Sequence, residues 1–167
     1  MTALLTRLFI KNYKDTENTA VREAYGRLGG ITGIVCNILL FIMKLLVGLL
    51  SGSVAIMADA FNNLSDTGSS IVTMLGFKMA GRPADPEHPF GHGRMEYMSG
   101  FIVSLIITLV GVELLKSSAE KIASPEELTV NVATIVVLAL SIGLKIWMCF
   151  FNRTLGKRIQ SGALKAT

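Results

Sequence analysis

The sequence predicts an all-α membrane protein with four transmembrane helices. Of its 167 residues, 51% are hydrophobic and only 17% are charged, whereas about 25% of the residues in soluble domains are charged. The apolar residues stand in long runs, and a helix that spans a bilayer needs about 20 of them. A soluble domain of this size would need more polar surface to cover its core. The composition therefore argues against a soluble globular domain and against a disordered chain.

The four predicted spans form one transmembrane domain between an N-terminal segment and a C-terminal tail. Residues 1–28 are predicted to form a polar N-terminal segment without a cleaved signal peptide. The transmembrane domain covers 29–151, with spans at about 29–50, 54–79, 96–116 and 129–151, and 152–167 forms a basic tail. The loop at 80–95 contains three prolines and three glycines, which rule out a continuous helix there.

The basic residues predict the orientation of these spans. The N-terminus, the 80–95 loop and the tail lie on one side and carry twelve of the 16 Lys and Arg residues, whereas the other side carries two. Basic residues concentrate in cytoplasmic loops, so this side is predicted to be cytoplasmic, in a multi-pass membrane protein. The same bias explains the net charge of +4 without a nucleic-acid partner.

The first span contains small residues that allow close packing. Gly26, Gly29, Gly30 and Gly33 provide two small-xxx-small spacings, which let helices approach closely in lipid. Three charged residues, Lys44, Glu113 and Lys145, lie toward the ends of predicted spans. We expect them to extend to the membrane surface. The alternative is an interhelical ion pair or a role in proton coupling.

The second span contains a polar stripe. Helical geometry puts Asn62 about 6 Å from Asp66 along the axis and about 40° around it, and Asp59 lies about 20° off the same line. Carboxylates inside a membrane are costly and indicate a functional site. The structural alternative is hydrogen bonding between helices, which we favour for Asn63 and Ser65.

The stripe offers hard oxygen ligands. Asn62 and Asp66 suit Mn²⁺, Mg²⁺ or Ca²⁺ better than copper or a zinc–thiolate site. Two side chains on one helix cannot complete a coordination shell, so further ligands must come from another helix or from water. Asp59 is an auxiliary candidate.

A second candidate site lies in the loop. Asp85, His88 and His92 have the spacing D-x-x-H-x-x-x-H, and the loop could fold their side chains onto one Zn²⁺ or Mn²⁺ ion. The alternative is a solvated turn whose histidines cap the third span. No Walker loop, dinucleotide fingerprint or nucleophile–base motif is present, so neither an enzyme nor a bound cofactor is expected.

Two stretches identify a family resemblance. Over about 20–167, the chain resembles the N-terminal transmembrane half of the cation diffusion facilitator transporters. The resemblance is carried by the stretch SGSVAIMADAFNNLSDTGSSIV and the following RPADPEHPFGHGRMEYMSG. The resemblance implies four helices of a six-helix cation-efflux bundle. It also implies a transport site that includes Asn62 and Asp66, an accessory site at Asp85, His88 and His92, and a homodimer.

The resemblance implies proton-coupled antiport of a divalent cation out of the cytoplasm. Asparagine at position 62 is similar to the manganese-exporting bacterial members, so Mn²⁺ is the expected ion, with Zn²⁺ and Fe²⁺ as alternatives. The sequence stops where the family would begin its fifth span, which predicts a fragment or a truncated gene product. The rival interpretation is a non-transporting membrane subunit that dimerises with a full-length relative and regulates it.

Overall fold

The computed structural model describes residues 2–123 and 132–167, and every regular element in these ranges is a helix. The helices are α1 (Thr2–Phe9), α2 (Thr19–Ser51), α3 (Val54–Ala80), α4 (Met95–Ala123), α5 (Val132–Arg158) and α6 (Gly162–Ala166). By length and composition, three helices can cross a membrane, at Thr19–Ser51, Met95–Glu120 and Thr134–Arg158. The chain is thus an all-α membrane protein. With 27 residues, α3 is also long enough to cross a membrane, but its polar residues make it less apolar than these three helices.

The helices extend beyond the predicted spans. α2 begins ten residues before position 29 because Asn18 caps it, with its side-chain oxygen accepting from the Ala20 N–H at 2.9 Å. α4 continues through Ala123, so the first part of the predicted 117–128 connection is helical. The predicted start of the fourth span at 129 lies outside the described residues.

A tight hairpin joins α2 and α3. Gly52 ends α2 in the left-handed conformation, with φ at 66°, and its N–H donates to the carbonyls of Gly48 and Leu49. Ser53 then caps α3 by accepting from the Ile56 N–H. A two-residue connection of this kind places α2 and α3 side by side and antiparallel, which fixes how the polar stripe of α3 faces its neighbours.

Close packing of α2 on α3 depends on glycine, as the small-residue spacing predicts. A Cβ atom added at Gly30 would lie 2.6 Å from the Met74 Cβ atom, and one at Gly33 would collide with Ser70. Gly29 faces the other way, toward Leu164. The helix spacing at this interface therefore leaves no room for a larger side chain.

The buried core lies at one end of the bundle, called here the loop end, where α2 begins, α3 ends, α4 begins and α5 ends. The predicted basic tail contributes to it: α5 runs on to Arg158, and α6 packs against α4 and α5. The core consists of Ile10, Val21, Tyr25, Phe77, Phe151, Leu155, Ile159, Ala163 and Leu164. The apolar residues of the basic tail, among them Leu155, Ile159 and Leu164, alternate with its basic ones and are buried in this core.

One arginine ties three segments together at the loop end. The Arg22 guanidinium donates to both carboxylate oxygens of Glu96, at 2.8 and 3.0 Å, and to the Ile159 carbonyl at 2.6 Å. Because the Glu96 side chain is only 10% exposed, this charge-assisted contact is partly shielded from solvent. It links α2, α4 and the turn after α5, which together frame the loop between α3 and α4.

Candidate metal sites

The two carboxylates in the polar stripe of α3 form ion pairs with lysines on two different neighbouring helices. Asp66 pairs with Lys145 of α5, where the Lys145 Nζ atom lies 2.9 Å from Asp66 Oδ2. Asp59, two turns earlier, pairs with Lys44 of α2 at 2.7 Å. Asp59 and Asp66 are thus each paired with a lysine from a different helix, which lowers the cost of placing these carboxylates in the bundle.

The two ion pairs differ in exposure. The Lys44 side chain is 3% exposed, whereas that of Lys145 is 41% exposed and that of Asp66 is 48% exposed. A charge as buried as Lys44 requires its partner, because without the partner its ammonium group would be neither solvated nor neutralised. The pair at Asp59 is therefore a structural contact between α2 and α3, whereas the pair at Asp66 borders open space.

That open space is a cavity of about 240 Å³, lined in part by Asp66, Ser69, Asn37, Lys145 and Asn152. It lies against α2, α3, α4, α5 and α6. A cavity of this size has room for several water molecules, and its polar side chains offer them hydrogen-bond partners. Asp66 therefore borders a space that is large enough to hold a cation with part of its water shell. Asn62 lies one turn before Asp66 and is half-buried.

Most other polar side chains of α3 hydrogen-bond to backbone carbonyls of the same helix. The Asn63 side-chain N–H donates to the Asp59 carbonyl at 2.9 Å, and the Ser65 hydroxyl to the Phe61 carbonyl at 3.5 Å. The Thr67, Ser70 and Thr73 hydroxyls do the same four residues back. The expected interhelical hydrogen bonds from Asn63 and Ser65 are not formed within the described residues, where Asn63 Oδ1 is buried without a partner.

The lysine partners are the main functional feature that the sequence analysis missed. We expected Lys44 and Lys145 to extend to the membrane surface, and the structure instead shows the alternative, an interhelical pair for each. The sequence did contain a signal for these pairs. Lys44 and Lys145 lie within the apolar runs of the first and fourth spans, and the two carboxylates lie in the second span. Spacing along the chain does not reveal which helices are neighbours.

The loop at 81–94 brings its three ligand-type side chains together. The His88 Nδ1 atom lies 3.1 Å from Asp85 Oδ1, and the His92 Nε2 atom lies 3.5 Å from Asp85 Oδ2. One ligand atom from each of the three residues falls within 4.8 Å of the others. Ligands at about 2.0–2.1 Å in a tetrahedral shell are roughly 3.4 Å apart. The donor set therefore suits one Zn²⁺ or Mn²⁺ ion after a small side-chain movement.

Backbone geometry positions these groups. Gly91 adopts φ of 77°, which reverses the chain between the two histidines. The His92 ring is 9% exposed, and its Nδ1 atom lies 3.2 Å from the Pro83 carbonyl. A proton on Nδ1 donated to this carbonyl leaves Nε2 free and directed at Asp85, as in many metal sites. This contact argues against the histidines serving only as a cap for the next helix.

The electrostatics of Asp85 favour its charged form. Desolvation raises the pKa of the Asp85 carboxyl, but the His88 backbone N–H, 2.6 Å from Oδ1, and the two histidine rings lower the pKa by more. The net effect is a pKa below the ordinary value. An ionised carboxylate is the form that ligates a metal ion.

Taken together, these features define a class of protein: a multi-helix membrane protein with carboxylates inside the bundle and a potential cation-ligand cluster in one loop. Residues 30–167 match the cation efflux transmembrane domain, and the chain belongs to the cation efflux family, as the resemblance predicted.

Several curated proteins are similar to this chain. The manganese efflux system protein MneS of Bacillus subtilis is 32% identical over 141 residues, covering 84% of this chain and 49% of MneS. A protein of Methanocaldococcus jannaschii, named as an uncharacterized transporter, is 35% identical over 136 residues, covering 81% of this chain and 48% of that protein. The cation-efflux pump FieF of Escherichia coli is 28% identical over 149 residues, covering 87% and 50%. The chain spans about half the length of the curated relatives it matches.

Proposed function

We propose that this chain is the N-terminal part of a divalent-cation exporter whose transported ion, Mn²⁺, binds at Asp66 and Asn62. The observation that carries the proposal is the place of Asp66: a carboxylate on α3, half-exposed, at the edge of a cavity that several polar side chains also line. Family membership supports export of a cation. The name of one similar protein, a manganese efflux system protein, and the hard oxygen ligands support Mn²⁺.

Proton antiport is the proposed driving mechanism. A metal ion and a proton compete for the same carboxylate lone pairs, so Asp66 can take up a proton when the cation leaves. The proposal also includes a homodimer in the inner membrane with a cytoplasmic N-terminus. Asp59 stays a prediction as an auxiliary ligand, and its buried partner Lys44 makes it the weaker candidate.

Metal preference is expected to depend on position 62. Replacing Asn62→His in the full product of the gene should shift export from Mn²⁺ toward Zn²⁺, roughly tenfold in the ratio of the two ions, because imidazole suits Zn²⁺ better than an amide oxygen does. The measurement is cell-associated Mn²⁺ and Zn²⁺ in a manganese-sensitive strain. The matched control is Asn62→Gln, which keeps the amide and should keep the Mn²⁺ preference. An unchanged ratio in Asn62→His would show that residue 62 is not a ligand.

The loop cluster is proposed as an accessory metal site. Replacing both His88→Ala and His92→Ala should lower the metal content of the purified protein by about one equivalent per chain, since two of the three ligands are lost. Metal analysis after equilibration with Zn²⁺ or Mn²⁺ gives the stoichiometry. Glu87→Ala, an exposed carboxylate of the same loop outside the cluster, serves as the control. If the double variant keeps the wild-type stoichiometry, the loop binds no ion.

A further inference from the structure

We infer that Lys145 is a resident counter-cation that a divalent ion must displace from Asp66. This inference rests on the proposed function, because it takes Asp66 to be the ligand of the transported ion. The Lys145 ammonium group lies 2.9 Å from Asp66 Oδ2, where it occupies the lone pairs that a cation would use. Lys145 thereby sets how tightly the site holds its ion.

The contrast with Lys44 shows why Lys145 can leave its partner. Lys44 is 3% exposed and has no solvated position to move to, whereas the Lys145 side chain is 41% exposed. The Lys145–Asp66 pair is not enclosed by the described residues and borders the cavity, so its charges separate at a smaller cost than those of a buried pair. Of the two lysine–aspartate pairs on α3, only the pair at Asp66 can open at small cost.

The cavity beside Asp66 provides room for the displaced ammonium group. Lys145 lines this space of about 240 Å³ together with the hydroxyl residue Ser69 and the amide residue Asn152. Lysine carries three rotatable donors on a flexible stem, so it can rotate toward these polar groups and toward water. The chain therefore offers the ammonium group two positions, one on Asp66 and one in the cavity.

Charge balance couples the binding of a divalent ion at Asp66 to the departure of Lys145. With Lys145 in place, the carboxylate and the ammonium group neutralise each other, and the site carries no net charge. A divalent ion on Asp66 next to an unmoved ammonium group would place two like-charged cations within a few ångströms, which is strongly unfavourable at low dielectric. Ion binding and departure of Lys145 are therefore coupled, and the lysine weakens the affinity and speeds release.

Removing the competing charge should tighten ion binding. In the purified full product of the gene that carries His88→Ala and His92→Ala, so that the proposed loop site is absent, Lys145→Met should lower the Kd for Mn²⁺ roughly fivefold, the upper range for an ion pair that is not buried. Lys145→Arg keeps the charge and should bind Mn²⁺ as weakly as the wild type or more weakly. Calorimetric titration with Mn²⁺ measures the Kd, and a parallel thermal unfolding scan shows that each variant is folded. Lys145→Gln replaces the methionine variant if that protein is not recovered folded.

Two further variants separate the possible outcomes. Lys165→Met removes another lysine that lines the same cavity but forms none of the ion pairs in the described part of the chain, and it should leave the Kd within about twofold of the wild type. In the same His88→Ala, His92→Ala background, which removes the proposed loop site, Asp66→Ala should lose the binding. If Asp66→Ala loses binding but Lys145→Met binds no more tightly than the wild type, the counter-cation inference is overturned and the proposed site stands. If Asp66→Ala binds Mn²⁺ normally, the proposed function itself fails.

Discussion

Replacing Asp66→Ala in the full product of the gene is expected to reduce manganese export at least tenfold. Asp66 is the carboxylate of α3 that borders the cavity, and the amide of Asn62 alone is a weak, uncharged ligand for a divalent ion. Cell-associated Mn²⁺ and growth of a manganese-sensitive strain at raised Mn²⁺ measure the effect. Ser65→Ala, an exposed α3 residue one position away, is the control and should export normally.

A loss of export must be separated from a loss of protein. Asp66→Ala leaves the Lys145 ammonium group without its partner, so the variant could be depleted from the membrane. The double variant Asp66→Ala with Lys145→Met removes both charges and should restore the membrane level without restoring export. Normal export by either variant would mean that the polar stripe of α3 serves packing and that the transport site lies elsewhere.

The second large effect is expected at the glycine interface. Gly30→Leu should markedly lower the thermal unfolding midpoint and the yield, because an added Cβ atom lies 2.6 Å from the Met74 Cβ atom and 3.2 Å from the Ser70 carbonyl oxygen. Overpacking a well-packed interior typically costs about 1–3 kcal/mol, and here a backbone atom lies in the way. The variant also pushes on Ser70, one turn from Asp66, so export should fall with stability.

The matched control uses a glycine in open space. A Cβ atom at Gly143 of α5 meets no atom of the described residues within 4 Å, so Gly143→Leu should unfold close to the wild-type temperature. Unfolding is followed by a thiol-reactive dye or by light scattering in detergent. A wild-type midpoint for Gly30→Leu would show that α2 and α3 can separate without loss, contrary to the packing described here.

The helices and the loop were largely predictable from the sequence, for local reasons. Apolar runs of 20 or more residues predict helices in a membrane protein, because the backbone must satisfy its own hydrogen bonds there. The prolines and glycines of 81–94 predict the interruption between α3 and α4. The helix ends were less accurate: α2 begins at Thr19, since polarity marks where a span leaves the apolar layer and not where the helix begins.

The sequence by itself determined the class of protein, the polar stripe of Asp59, Asn62 and Asp66, and the cluster-forming spacing of Asp85, His88 and His92. These features depend on composition and on helical period, both of which can be read along one segment. Only the tertiary structure decided that Lys44 and Lys145 neutralise the two carboxylates of α3, and that the basic tail closes the core. The Lys145–Asp66 contact joins residues 79 positions apart and the Arg22–Ile159 contact joins residues 137 positions apart. The packing of helices, not their sequence order, determines which residues meet.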